Sequence, residues 1–255
     1  MSRHVLVTGA AGGIGLAIAM AFAGRGDIVT GVDARESELL AAMAPLGGRA
    51  FIADLADPGC AAVIGKATAA DGPIDVLVNA AGIYPATAFA DLTPSTWDHV
   101  QHVNVRAPLL LTQAVAAAGR PAVVVNISSS AATRARPGAA HYCTSKAALD
   151  MVTKACAVEL AGQGMRVNAV APGYVEVDSP VNPVTEEYAG AVSANPLGRA
   201  GRAEEIAAAA VWLAGDDAAF ITGAVLRVDG GGTAGTAALP LHFPTMTALQ
   251  EEGSL

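Results

Sequence analysis

The chain has 255 residues, 53% of them hydrophobic and 15% charged, with a net charge of −8. That length and apolar content can fill the core of one undivided α/β domain over residues 1–255, and an acidic balance without a basic stripe argues against nucleic-acid binding. Gly, Asp or Arg interrupts every apolar run before it reaches membrane length, and no signal peptide is read, so a soluble cytoplasmic protein is expected.

Residues 4–8 form a short apolar run fit for a buried parallel strand, and residues 16–23 an apolar helix. Between them lie Gly9, Gly12, Gly13 and Gly15. A turn without Cβ atoms lets the backbone approach a pyrophosphate while the helix N-terminus aims its free N–H groups at it. A flexible turn with no ligand is the bland alternative, and the strand-to-helix setting weighs against it. The second strand, residues 27–33, ends on Asp33, eighteen positions beyond Gly15. A carboxylate there accepts from a ribose 2′-OH and repels a 2′-phosphate, which favours NAD over NADP. Arg35 complicates that preference, whereas Gly12 occupies the loop position where a phosphate-binding Lys or Arg could sit. Asp33 could equally cap the helix expected to start near Glu36. Further strands are predicted over 50–53, 76–79, 122–127, 166–171 and 225–228, alternating with alanine-rich helices. This pattern implies a Rossmann-type, doubly wound parallel sheet of about seven strands with helices on both faces.

Tyr142 and Lys146 stand four residues apart on a predicted helix, which puts them on one face. An ammonium beside a phenol stabilises the phenolate and brings its pKa below about 10, toward the range of an acid/base catalyst. Ser129, thirteen positions earlier, could hold a carbonyl or alkoxide oxygen at the same point. Tyr-x-x-x-Lys alone is common by chance, and a surface Lys beside a half-buried Tyr explains it as well. The glycine segment changes that balance.

Taken together, these motifs resemble those of a classical short-chain dehydrogenase/reductase, from about residue 4 to residue 232. The family's Thr-Gly-x-x-x-Gly-x-Gly is matched by Thr8, Gly9, Gly13 and Gly15, with Ile14 inside it. Its adenine-pocket pair is matched by Asp54 and Leu55, and its Asn-Asn-Ala-Gly by Asn79, Ala80, Ala81 and Gly82, with Ala80 replacing the second Asn. The catalytic group is matched by Asn104, Ser129, Tyr142 and Lys146, and the late Arg-Val-Asn…Pro-Gly pattern by Arg166, Asn168, Pro172 and Gly173. Ser129 is chosen over Ser128 and Ser130 by the family's serine-to-tyrosine spacing. The resemblance implies an NAD-dependent interconversion of a secondary alcohol and a ketone. In it Tyr142 is the acid/base and Lys146 lowers its pKa while binding the nicotinamide ribose. Ser129 orients the substrate oxygen, and Asn104 holds a water that relays the proton. One departure stands out: Val177 occupies the place of a Thr that contacts the nicotinamide carboxamide. The main chain of Val175, or Asp178 or Ser179, would have to serve instead. A 3-oxoacyl thioester reductase and a non-catalytic nucleotide-sensing regulator remain as alternatives. Asp33 and the lack of basic surface disfavour the first, and the intact Ser, Tyr and Lys the second.

Cys60, Cys143 and Cys156 lack Cys-x-x-Cys spacing and read as buried thiols of a reducing compartment. His99 and His102 have no third ligand in view, so no metal is expected. His141 could border the substrate. Substrate choice is assigned to residues 83–90 and 174–197, which emerge at the carboxyl ends of strands, the second as a lid. Arg134 and Arg136 are candidate carboxylate partners, although a solvated loop explains them too, and a small uncharged alcohol or ketone is favoured. The tail, residues 233–255, carries Leu239, Leu241, Phe243, Met246 and Leu249 with few charges, so it should dock on its own or a neighbouring subunit. Such family members are usually homotetramers or homodimers.

Overall fold

The strands of this chain are apolar along their whole length, which suits them to a sheet covered on both sides. The computed structural model describes residues 2–177, 185–193 and 195–235. The strands are β1 (His4–Thr8), β2 (Ile28–Asp33), β3 (Arg49–Ile52), β4 (Val76–Asn79), β5 (Val123–Ile127), β6 (Arg166–Pro172), β7 (Val175–Glu176), β8 (Gly201–Arg202) and β9 (Val225–Val228). The helices are α1 (Gly13–Ala23), α2 (Glu36–Met43), α3 (Ala62–Asp71), α4 (Pro94–Gln101), α5 (Ala107–Ala116), α6 (Ala140–Leu160), α7 (Glu186–Val192) and α8 (Ala203–Leu213).

Seven strands form one parallel sheet in the order β3-β2-β1-β4-β5-β6-β9, and β7 pairs with β8 in a short ribbon beside it. Alternation along β1 shows the double cover. Val5 and Val7 pack with α1, α2 and α8 on one face, while Leu6 packs with α3, α5 and α6 on the other. All three side chains are fully buried, and each contributes about 1.5–3 kcal/mol of apolar burial. The expected α/β doubly wound fold is the one observed. Predicted strand ends differ by about a residue; β3, for example, spans Arg49–Ile52 instead of 50–53. Helix α1 starts at Gly13, inside the glycine segment, three residues earlier than the apolar pattern indicated.

The strand order reverses between β1 and β4, so a crevice opens at their carboxyl ends. Thr8 bridges it: its Oγ1 accepts from the N–H groups of Ala80 and Ala81, both at 3.1 Å. Helices α4 and α5 are one helix interrupted by a π-helical segment, His102–Arg106, which the sequence pattern did not indicate. Position 108 is Pro, which has no N–H, so the Asn104 carbonyl has no i+4 donor of the α-helical kind. The central part of the expected lid, with Asp178 and Ser179, and the tail from residue 236 lie outside the described residues.

Candidate active site

Two hollows meet at the crevice. The first, about 340 Å³, is lined by Gly9, Gly12, Gly13, Ile14, Gly15, Asp33, Asp54, Leu55, Ala80 and Gly82, all expected cofactor contacts, together with Arg35, Tyr84 and Val177. The second, about 460 Å³, is lined by Ser129, Tyr142, Lys146, Pro172, Gly173 and Val175. Ile14, Ala80, Gly82, Tyr84 and Val177 belong to both walls, so the hollows form one continuous cleft. Residues predicted from opposite ends of the chain are thereby brought around a single space.

The first hollow fits a dinucleotide on an observation of its own. Gly12 has an extended backbone that any residue can adopt (φ 176°). A Cβ built on it would meet only the Arg35 guanidinium, at 3.9 Å. Neither backbone strain nor packing explains the missing side chain; room for a ligand at the N-terminus of α1 does. The Asp33 carboxylate stands opposite, though not unpartnered. Its Oδ1 accepts from the Arg35 backbone N–H at 3.0 Å and from Arg35 Nε at 3.1 Å. Its Oδ2 accepts from the Ala11 N–H and from Arg35 Nη2, both at 3.2 Å. Asp33 and Arg35 therefore act as one ion-paired unit rather than as a lone carboxylate.

In the second hollow, Lys146 is almost fully buried, and its Nζ donates to the Ile127 carbonyl at 2.8 Å. Burial pushes its pKa down from 10.5 to about 8, and Asp150, one turn further along α6, opposes that shift. The ammonium lies 5.9 Å from the centroid of the Tyr142 ring. The ring of Tyr84 packs on Tyr142 with centroids 5.3 Å apart, and the Arg136 guanidinium stands 5.3 Å from the same centroid. Ser129 caps a 3₁₀ turn, its Oγ accepting from the Ala131 N–H at 3.1 Å. Its neighbour Ser128, which lines the same hollow, gives its hydroxyl hydrogen to Asp150 in a short hydrogen bond.

Two expected site residues do not reach the cleft wall. Asn79 is buried, and its amide donates to Asn126 Oδ1 at 2.8 Å, joining β4 to β5 beneath the site; its own Oδ1 lacks a partner among the described residues. Asn104 is fully buried in the π-helical segment. Its Nδ2 donates to Ile83 O at 2.9 Å and Ser145 Oγ at 3.0 Å, and its Oδ1 accepts from Ile83 N at 2.9 Å. Ser145 Oγ in turn donates to the Tyr142 carbonyl at 2.7 Å. Asn104 therefore anchors the loop that carries Tyr84. Sequence reasoning missed Tyr84 as a site residue, although its place directly after Gly82-Ile83 in the predicted substrate loop was a usable signal.

Known proteins resemble this chain over most of its length. A family profile described as enoyl-(acyl carrier protein) reductase matches residues 9–233. D-threitol dehydrogenase of Mycolicibacterium smegmatis is 39% identical over 248 residues, covering 91% of this chain and 93% of that protein. The chain belongs to the short-chain dehydrogenase/reductase family. A 3-oxoacyl-[acyl-carrier-protein] reductase of Escherichia coli is 37% identical over 235 residues, covering 90% of this chain and 96% of that one. Among solved structures, a blue fluorescent protein from a metagenomic library, in complex with NADPH, superposes with a TM-score of 0.83 at 34% identity, covering 90% and 97% of the two chains. The protein is thus an oxidoreductase of a family that uses nicotinamide cofactors. None of its described helices is long and apolar enough to cross a membrane.

Proposed function

We propose that the protein interconverts a secondary alcohol and a ketone, with NAD as the preferred cofactor. The observation that carries this reading is the continuous cleft, with the glycine segment and Asp33 at one end and Ser129, Tyr142 and Lys146 at the other. The bound nicotinamide would supply the hydride acceptor or donor; the chain's own residues manage the oxygen and its proton. Tyr142 takes the hydroxyl proton during oxidation and returns it during reduction. Lys146, buried and close to the ring, favours the phenolate and reaches the nicotinamide ribose. Ser129 donates to the substrate oxygen. The side-chain amide of Asn104 is already spent on Ile83 and Ser145. The relay water therefore belongs on its main-chain carbonyl, which Pro108 deprives of an α-helical donor. Asn79 supports the floor, and Ala80, Gly82, Pro172, Gly173 and Val175 enclose the cofactor through main chain. The dehydrogenase among the relatives supports an alcohol substrate.

NADP is the second reading, and a specific observation favours it. Arg35 holds Asp33 in a two-point ion pair and could turn its guanidinium to a 2′-phosphate. Asp33 would then release Arg35 without losing the Ala11 N–H. The test is a pair of titrations. NADH and NADPH binding are measured on wild type, on Asp33→Ala and on Arg35→Ala. The NAD reading requires tighter NADH binding in wild type and a narrower gap in Asp33→Ala. Equal or tighter NADPH binding that collapses in Arg35→Ala would overturn it.

A further inference from the structure

The hollow around Tyr142 is more basic than a neutral alcohol requires. Arg134 and Arg136 both line it, from the segment between the Ser130–Ala132 turn and α6. Arg134 is exposed at the mouth, and Arg136 is half-buried on the Tyr142 ring at 5.3 Å. A guanidinium held over an aromatic ring by cation–π attraction brings its positive charge close to the phenol. A freely solvated loop gives no account of that contact. Arg134 makes no ion pair among the described residues.

Asp229 is the one acidic side chain lining this hollow among the described residues. Its oxygens are occupied within their own turn. Oδ1 accepts from Gly231 N at 2.9 Å, and Oδ2 from Thr233 N at 2.9 Å and Thr233 Oγ1 at 2.5 Å. Arg134, Arg136 and Lys146 thus bring three basic side chains to the hollow that holds the phenol, in a chain of net charge −8. A bidentate guanidinium suits a carboxylate best.

We infer that the substrate is a small hydroxy acid or oxo acid, its carboxylate received by Arg136 and Arg134 while its carbinol or carbonyl oxygen faces Tyr142 and Ser129. The inference rests on the alcohol–ketone reading of the same site. Oxidation removes one hydride from the carbinol carbon, accepted by the nicotinamide, and one proton from its oxygen, accepted by Tyr142. The carboxylate passes through unchanged.

The test reads binding separately from turnover. 2-Oxobutyrate, acetoacetate and levulinate, which place the carboxylate at increasing distance from the carbonyl, are each titrated against their methyl esters. The titrations use the complex with the oxidised cofactor, in which no reduction can occur. At least one acid should bind about tenfold tighter than its ester, the scale of one charge-assisted contact. Arg134→Ala and Arg136→Gln should each narrow that gap severalfold, and Tyr142→Phe should leave it in place. Esters that bind as tightly as acids throughout the series, or a gap that survives both arginine variants, would overturn the inference. The two readings fail separately. A clamp that depends on the arginines, without Tyr142-dependent reduction of any carbonyl, sinks the alcohol–ketone reading alone. Equal binding of acid and ester, with Tyr142-dependent reduction of the ester, sinks the carboxylate inference alone.

Discussion

The two hollows of the cleft are built on opposite plans. The first hollow, proposed for the cofactor, has a glycine-rich wall where Gly9, Gly12, Gly13 and Gly15 bring main chain to its surface, with the ion-paired Asp33 and Arg35 near the expected ribose. The hollow around Tyr142 carries long polar and aromatic side chains, Tyr84, Arg134, Arg136, Tyr142 and Lys146, delivered by three separate segments. A backbone wall can hold a cofactor of fixed shape, because every N–H is set by the strand-to-helix turn. A side-chain wall can be altered without disturbing the sheet, which suits it to the choice of substrate proposed for it.

That contrast can be broken most forcefully at Tyr142. Tyr142→Phe keeps the ring and its packing on Tyr84, so cofactor binding should stay within about twofold while turnover falls by about 10²–10⁴, the usual span of a lost acid/base group. Steady-state kinetics beside a cofactor fluorescence titration would check it; substantial residual turnover would falsify the assignment. Lys146→Met should spread its damage over both hollows, raising the cofactor dissociation constant and lowering turnover each by about tenfold or more. A variant that loses only one of the two would show that Lys146 serves a single role.

The backbone wall can be probed with two glycines that differ in what surrounds them. A Cβ at Gly15 would stand 2.2 Å from the Gly9 carbonyl oxygen, whereas one at Gly12 meets no protein atom closer than 3.9 Å. Gly15→Ala should therefore lower Tm clearly, with a cost of about 1–3 kcal/mol. Gly12→Ala should leave Tm unchanged and weaken cofactor binding by about tenfold. Equal effects of the two on Tm would contradict the account of Gly12 as ligand space. The smallest expected effect is at Asp150. Its carboxylate opposes the burial-driven fall of the Lys146 pKa, so Asp150→Asn should push that pKa below about 8. Turnover near neutral pH should fall about two- to tenfold with the cofactor constant unchanged, and the pH profile should move. An unmoved profile would confine Asp150 to a structural role through Ser128.

Most residues that line the first hollow were legible in the sequence because the glycine turn that gathers them is local. Gly12 and Asp33 sit on one strand–turn–helix–strand unit, where spacing along the chain dictates spacing in space. The sheet was legible for the same reason, since its strands are unbroken apolar runs between helices. What was hidden depends on neighbours that sequence spacing does not reveal. The closure of Arg35 onto Asp33 turns on a side-chain rotamer rather than on a motif. The π-helical segment at His102–Arg106 leaves no periodic signature, although Pro108 was a clue in plain sight. Arg134 and Arg136 were readable as candidate carboxylate partners, but their presence in the wall beside Tyr142 emerges only once the turn at Ser130–Ala132 folds over the head of α6.

The central claim is that Tyr142 is the titrating acid/base of this cleft, and the pH dependence of both reaction directions tests it most directly. Oxidation needs the phenolate and reduction needs the phenol, while a charged Lys146 favours the phenolate. The oxidation rate should rise with pH and level off with a midpoint below about 10, and reduction should show the opposite limb. Because Lys146 itself titrates near 8, the midpoint belongs to the interacting pair. Rates flat with pH in both directions, with a primary deuterium isotope effect showing that hydride transfer limits turnover, would contradict the claim.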